Sequence, residues 1–133
     1  MKKPIIIAGI LALLAVVFGA FGAHGLKGHI SDDALATFKT GQEYQFLHSL
    51  AILILFVIHS LYPVKQFRYA VYFFLAGIFL FSGSLYLLST RELTGLPVGF
   101  LGPLTPLGGL CFIAGWLIFI IGFSRLKKDH SHT

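Results

Sequence analysis

Long runs of hydrophobic positions, broken by short polar connections, dominate the pattern of this chain. Residues 4–23, 46–62, 69–90 and 104–123 carry no charged side chain. A helix rises about 1.5 Å per residue, so about 20 apolar residues cross a hydrocarbon layer about 30 Å thick. Tyr44 and Gln45 extend the shortest run to residues 44–62. Inside lipid there is no water to satisfy backbone N–H and C=O groups, which makes helix the state to expect for single runs of this kind. The pattern predicts an all-α integral membrane bundle of four transmembrane helices. It forms one domain over residues 1–133, with a cytoplasmic tail from residue 125.

The connections differ in kind. Residues 63–68 form a short turn, so the second and third spans should be antiparallel neighbours. The link over residues 24–45 is long and half polar. Ser31, Asp32 and Asp33 read there as a helix N-cap followed by acids that suit the helix dipole. A helix starting there either runs on into the second span or breaks near Gly41. Leu35, Phe38 and Gln42 share one face of its outer part, which predicts a partly interfacial helix lying on the membrane surface. Residues 95–109 are rich in glycine and proline, too broken for one helix and too apolar for water. They are expected to fold back against the bundle. Thr105 followed by Pro106 reads as an N-cap and first helical residue, with Gly108 and Gly109 leaving backbone N–H groups open to an anion or polar head group.

Small residues mark helix faces. Ala8, Ala12, Ala15, Gly19 and Gly22 step by four and three in the first span. Ala70, Gly77 and Ser84 step by seven in the third, and Gly108, Gly115 and Gly122 step by seven in the fourth. Small side chains repeating on one face let backbones approach closely in lipid, so these three spans should pack into a compact left-handed bundle. The second span has no comparable seam.

Composition supports the membrane reading. Hydrophobic residues make up 56% of the chain and charged residues 11%, against about 25% charged in soluble domains. Lys2, Lys3, Lys65, Arg68, Arg125, Lys127 and Lys128 fall on one side of the spans, with only Asp129 against them. On the other side Lys27, Lys39 and Arg91 face Asp32, Asp33, Glu43 and Glu92. Basic connections stay inside the cell, so both termini are expected in the cytoplasm. The net charge of +5 then reflects topology and attraction to anionic lipid, and no nucleic-acid partner is implied. Lys2, Lys3 and the small residues before His24 loosely fit a cleaved signal peptide, but the length of the run and the three spans after it favour retention. The lone Cys111 excludes an intramolecular disulfide.

Polar side chains at membrane depth gather toward the outer end. They are His24, Tyr44, His48, Ser49, Ser82, Ser84, Tyr86 and Thr105. Tyr44 and His48 are four apart, on one helix face, and so are Ser82 and Tyr86. Intramembrane ionisable groups are costly and often functional. Tyr44 and His48 therefore read as a proton-transfer pair, or as an interfacial tyrosine and a histidine that satisfies a buried carbonyl. His24 reads as a ligand contact, or as a histidine wetted by interfacial water. His59 lies on the face of His48 with nothing titratable between them. Zinc needs three or four close ligands. Only His24, His48 and Glu43 offer themselves, and His130 and His132 in the tail are too few. No metal and no cofactor are implied. The candidate ligand-binding set is His24, Tyr44, His48, Ser82, Tyr86, Thr105, Gly108 and Gly109.

Four blocks carry a family resemblance: GAFGAHGLKG at 19–28, YQFLH at 44–48, FSGSLY at 81–86 and GPLTPLGGLCFIAGW at 102–116. In this order, over nearly the whole chain, they resemble the domain-of-unknown-function 423 group of small bacterial membrane proteins. The resemblance implies four helices and a plasma-membrane location, and it implies no activity. The residues themselves favour a non-enzymatic membrane protein, because no activated nucleophile or carboxylate pair is present. Its outer-side polar pocket would bind a small amphiphile, lipid or ion, or support a membrane complex with a second copy or another membrane protein. The alternative is a small membrane enzyme using His24, Tyr44 and His48 for acid–base chemistry on a lipid-like substrate.

Overall fold

Each uncharged run falls in a long helix, but for Tyr62 and Thr90 at the ends of two runs, in the computed structural model, which describes residues 2–129. Helix α1 spans Lys2–Leu26, α2 Asp32–Leu61 and α3 Lys65–Ser89, and α4 spans Leu104–Asp129. All four are long and apolar enough to cross a membrane. The last turn of α1, Gly22–Leu26, is a π-helix, and a π-bulge interrupts α3 at Ile78–Ser82. His130 and His132 lie outside the described residues.

The expected cap of α2 forms: the Ser31 side chain accepts the Ala34 backbone N–H at 3.1 Å. From there α2 runs 30 residues without a break. Gly41 does not interrupt it but serves close approach instead. A Cβ there would sit 3.3 Å from the Ser82 carbonyl oxygen and 3.2 Å from the Tyr86 ring. The first turns of α2 are therefore continuous with the span and form no separate helix. Leu35 and Phe38 are buried with Leu26 and Ile30, against Phe18 and Tyr86. Their apolar face has found a protein partner in the π turn that ends α1.

The chain order of the helices is also their packing order. α1 lies along α2, α2 along α3, and α3 along α4, while α1 and α4 make no extensive contact. The α3–α4 contact is the closest. A Cβ on Gly108 would meet the Phe81 backbone nitrogen at 2.4 Å, one on Gly115 the Phe74 ring at 2.6 Å, and one on Gly122 the Gln66 Cβ at 2.8 Å and the Phe67 ring at 3.1 Å. The seven-residue glycine step of α4 is thus answered by a seven-residue phenylalanine step of α3, running the other way. Gly77 of α3 returns the arrangement, receiving the ring of Phe112. On α1, Ala8, Ala15 and Gly22 of the expected seam are buried, with Gly22 against Phe38.

Two expectations need correction. α2 does have a buried seam, formed by Gly41, Gln45, His48, Ser49, Ile52 and Leu55. It escapes notice because glycine, amide, imidazole and aliphatic side chains alternate, so no residue class repeats. And α4 begins at Leu104, which puts Thr105 inside the helix and not at its N-cap. The Thr105 hydroxyl shares a 2.6 Å hydrogen bond with that of Ser84, tying α4 to α3. Gly108 is buried against the α3 backbone, so its amide is closed to an anion. The preceding segment tucks in only through Val98, while Leu93, Leu96 and Phe100 stay exposed. It turns through a left-handed Gly95, with φ of 68°.

The seam predicts opposite outcomes for adjacent glycines. Gly108→Ala and Gly115→Ala should each lose about 1–3 kcal/mol to overpacking. Gly109→Ala should be neutral or gain up to about 1 kcal/mol of helix propensity, because its nearest neighbour would be the Phe81 ring at 3.9 Å. Reversible unfolding in mixed micelles measures the difference.

Candidate functional site

His48 is buried at the middle of an aromatic cluster, and both its ring nitrogens are used. Trp116 Nε1 lies 3.1 Å from His48 Nε2, and an indole N–H can only donate. Nε2 is therefore the unprotonated acceptor. Nδ1 carries the proton and donates it to the Tyr44 backbone carbonyl at 2.8 Å. This makes His48 a neutral imidazole fixed in one tautomer. Its ring stacks on Phe112, with centroids 3.7 Å apart and planes 15° from parallel. It also meets Phe74 edge-on at 5.1 Å. The proton-transfer pair does not form, because Tyr44 offers His48 a carbonyl and a stacked ring and not its hydroxyl.

A second polar group ties three helices together. Gln45 Nε2 donates to the Leu11 carbonyl of α1 at 2.7 Å. Its Oε1 accepts from the Tyr86 hydroxyl of α3 at 2.6 Å. Only this orientation of the amide satisfies both partners, since the phenol must find an acceptor and the carbonyl a donor. One turn outward, Gln42 Nε2 donates to the Ala15 carbonyl at 3.0 Å. The hydrocarbon offers no competing partner, so each of these bonds holds two helices in register.

The sequence candidates therefore separate. Tyr44, His48 and Gly109 line a pocket between α2 and α4. Tyr86 belongs to the Gln45 bridge, about 60° around α2 from His48. Thr105 joins Ser84, and Gly108 belongs to the α3–α4 seam. Ser82 is fully buried, its hydroxyl without a hydrogen-bond partner. His24 is exposed on the π turn and reaches none of the others. His59, about 16 Å farther along α2, is half-buried and unconnected to His48. No cluster of three His, Cys, Asp or Glu side chains suited to a metal occurs among the described residues. Trp116, Phe112 and Gln45 were not anticipated. A lone tryptophan and an amide within an apolar helix were the available signals.

The pocket opens sideways. Its polar end has a volume of about 530 Å³, with Glu43, Tyr44, His48 and Trp116 around it and Phe81 and Phe112 behind. Leu47 and Trp116 also line an adjoining apolar furrow of about 370 Å³, which continues along α2 past Leu50, Ile54 and Ile58. Leu47, Leu50, Ile54, Ile113 and Trp116 are exposed on the outer surface of the bundle, so the groove faces the surrounding lipid.

Four apolar helices, joined by buried amide and imidazole contacts and bearing a lateral groove between α2 and α4, define a small multi-spanning membrane protein. The family model described as "Protein of unknown function (DUF423)" matches residues 18–109, and the chain belongs to that family. Among its relatives is UPF0382 membrane protein YwdK of Bacillus subtilis, 43% identical over 91% of this chain and 95% of its own length. UPF0382 membrane protein SAB0533 of Staphylococcus aureus is 46% identical over 91% of this chain and 94% of its own length. UPF0382 membrane protein SH2409 of Staphylococcus haemolyticus is 39% identical over the same shares. No solved structure matches.

The Gln45 bridge predicts a specific coupling. Tyr86→Phe should cost about 1 kcal/mol by leaving a buried amide oxygen unpaired. Gln45→Leu should cost more, about 1–3 kcal/mol, because it breaks both bonds. The double variant should be more stable than Gln45→Leu alone, since it removes the stranded phenol as well. Unfolding free energies of the three variants test this.

Proposed function

We propose that this protein is a non-enzymatic binding protein of the bacterial plasma membrane that holds a small amphiphile in the groove between α2 and α4. The observation that carries the reading is the groove itself, polar at one end, apolar along its length and open to lipid. At about 530 Å³ the polar end falls within the usual range of small-molecule sites, about 300–1,000 Å³. The state of His48 argues against acid–base catalysis, because a histidine that holds Trp116 and a backbone carbonyl has no lone pair or proton left for a substrate. Both termini are cytoplasmic in this reading, as the basic residues beside Lys65 and Arg125 favour. The polar end of the groove then meets the external leaflet.

Native mass spectrometry of the purified full chain should find a retained amphiphile, and Leu47→Trp, which fills the groove where its two parts join, should lower the retained fraction. A chain that carries none, with the groove closed by a cross-linkable second copy, would overturn the reading. Orientation has its own test. A membrane-impermeant maleimide applied to intact cells should label His29→Cys and leave Lys65→Cys unlabelled. The opposite pattern would invert the topology.

A further inference from the structure

We propose that the groove is selective for a single-chain amphiphile with a positively charged ammonium head. This rests on the amphiphile-binding reading and adds the chemistry of the head. Glu43 is the only charged side chain lining either part of the groove among the described residues. It sits at the end of the groove, one residue before the uncharged run of α2 begins. No cation balances it from within the groove, because His48 accepts the Trp116 N–H and is therefore neutral. Tyr44 and Trp116, both partly exposed, line the same pocket as Glu43. Aromatic rings attract an alkylated ammonium, which sheds water easily. An anionic head would instead meet a carboxylate with no cation in the groove lining. A carboxylate with aromatic walls is the arrangement that selects a cation over an anion.

The chain fits the remainder. From Glu43 to Ile58 the groove follows α2 for about 22 Å, long enough to take an extended single alkyl chain. Its lining in the furrow is aliphatic and aromatic. A tail lying in it would leave the head at Glu43, where the apolar run gives way to polar residues.

Trp116 is the only tryptophan in the chain and lines both parts of the groove, so its fluorescence reports occupancy directly. Hexadecyltrimethylammonium, titrated into the full chain in non-ionic micelles, should give a saturable change. Hexadecyl phosphate, with the same tail, and tetramethylammonium, with no tail, should each bind at least about tenfold more weakly. Glu43→Gln, at an exposed position, should weaken the alkylammonium about tenfold and erase the preference, and Glu43→Lys should reverse it. Ile54→Phe, which narrows the furrow, should weaken both long-chain probes alike. Equal binding of the phosphate and ammonium probes, or no effect of Glu43→Gln, would overturn the head assignment while leaving the amphiphile reading intact. Tighter binding of hexadecylphosphocholine than of hexadecyltrimethylammonium would overturn it in favour of a zwitterionic phospholipid head. If no probe perturbs Trp116 and mass spectrometry finds no retained amphiphile, the amphiphile reading fails with it.

Discussion

The interaction on which the rest of this structure depends is the glycine–phenylalanine seam between α3 and α4. Hydrophobic burial does not favour helix association inside lipid, where tails are as apolar as side chains, so close packing and hydrogen bonds must supply it. Gly108, Gly115 and Gly122 bring α4 against Phe81, Phe74 and Phe67. That approach fixes α4 in rotation and in height. Phe112 and Trp116, on the same helix, are thereby delivered to α2 at the level of His48. A shift of α4 by one residue would carry both rings away from the imidazole.

The second tie is polar and lies about 60° around α2 from His48. Gln45 holds the Leu11 carbonyl with its nitrogen and the Tyr86 hydroxyl with its oxygen. Three helices meet at one amide. Residues 45 and 48 differ by three positions, and both side chains are buried, so α2 presents hydrogen-bonding groups to α1 and α3 through one and to α4 through the other. α2 is the hub, although its sequence advertises no seam. The Tyr86 ring also packs against Phe18 and Phe38, so the end of the bundle that carries the α1–α2 connection is closed between α1, α2 and α3.

Much of this was legible in the residues. Charge-free runs locate all four helices, because a charge inside hydrocarbon is costly enough to mark a boundary. The small-residue steps of α3 and α4 locate the seam. Its phenylalanine half was not legible: a phenylalanine in an apolar helix serves lipid and core equally well, and only the partner helix decides between them. Gly41 was ambiguous for a similar reason, since a glycine in mid-helix reads as a break or as a contact. Gln45 beside Tyr44 resembles the polar fringe of a span. The helix in fact begins at Asp32, so this amide lies about 20 Å inside it and needs protein partners. The partners of His48 stand far away in the chain, and no spacing rule reaches them.

The outer rim expected from the sequence becomes a different object once the helices are placed. Proximity along the membrane normal put His24, Tyr44, His48, Tyr86 and Thr105 at one level, but a level is not a site. Side chains at equal depth on a bundle point in different directions, and here the α1–α2–α3 and α3–α4 contacts absorb Tyr86 and Thr105. What stays open is the face where α2 and α4 are bridged by Trp116 and His48 without packing closely along their length. Apart from Phe112 and Trp116 at His48, the close packing of α4 is with α3, and the α1 side of α2 is filled, so among the described residues no further helix covers that face. In water such a furrow would collapse or aggregate. In a membrane the surrounding hydrocarbon fills it, so an open apolar face carries no penalty of exposure to water.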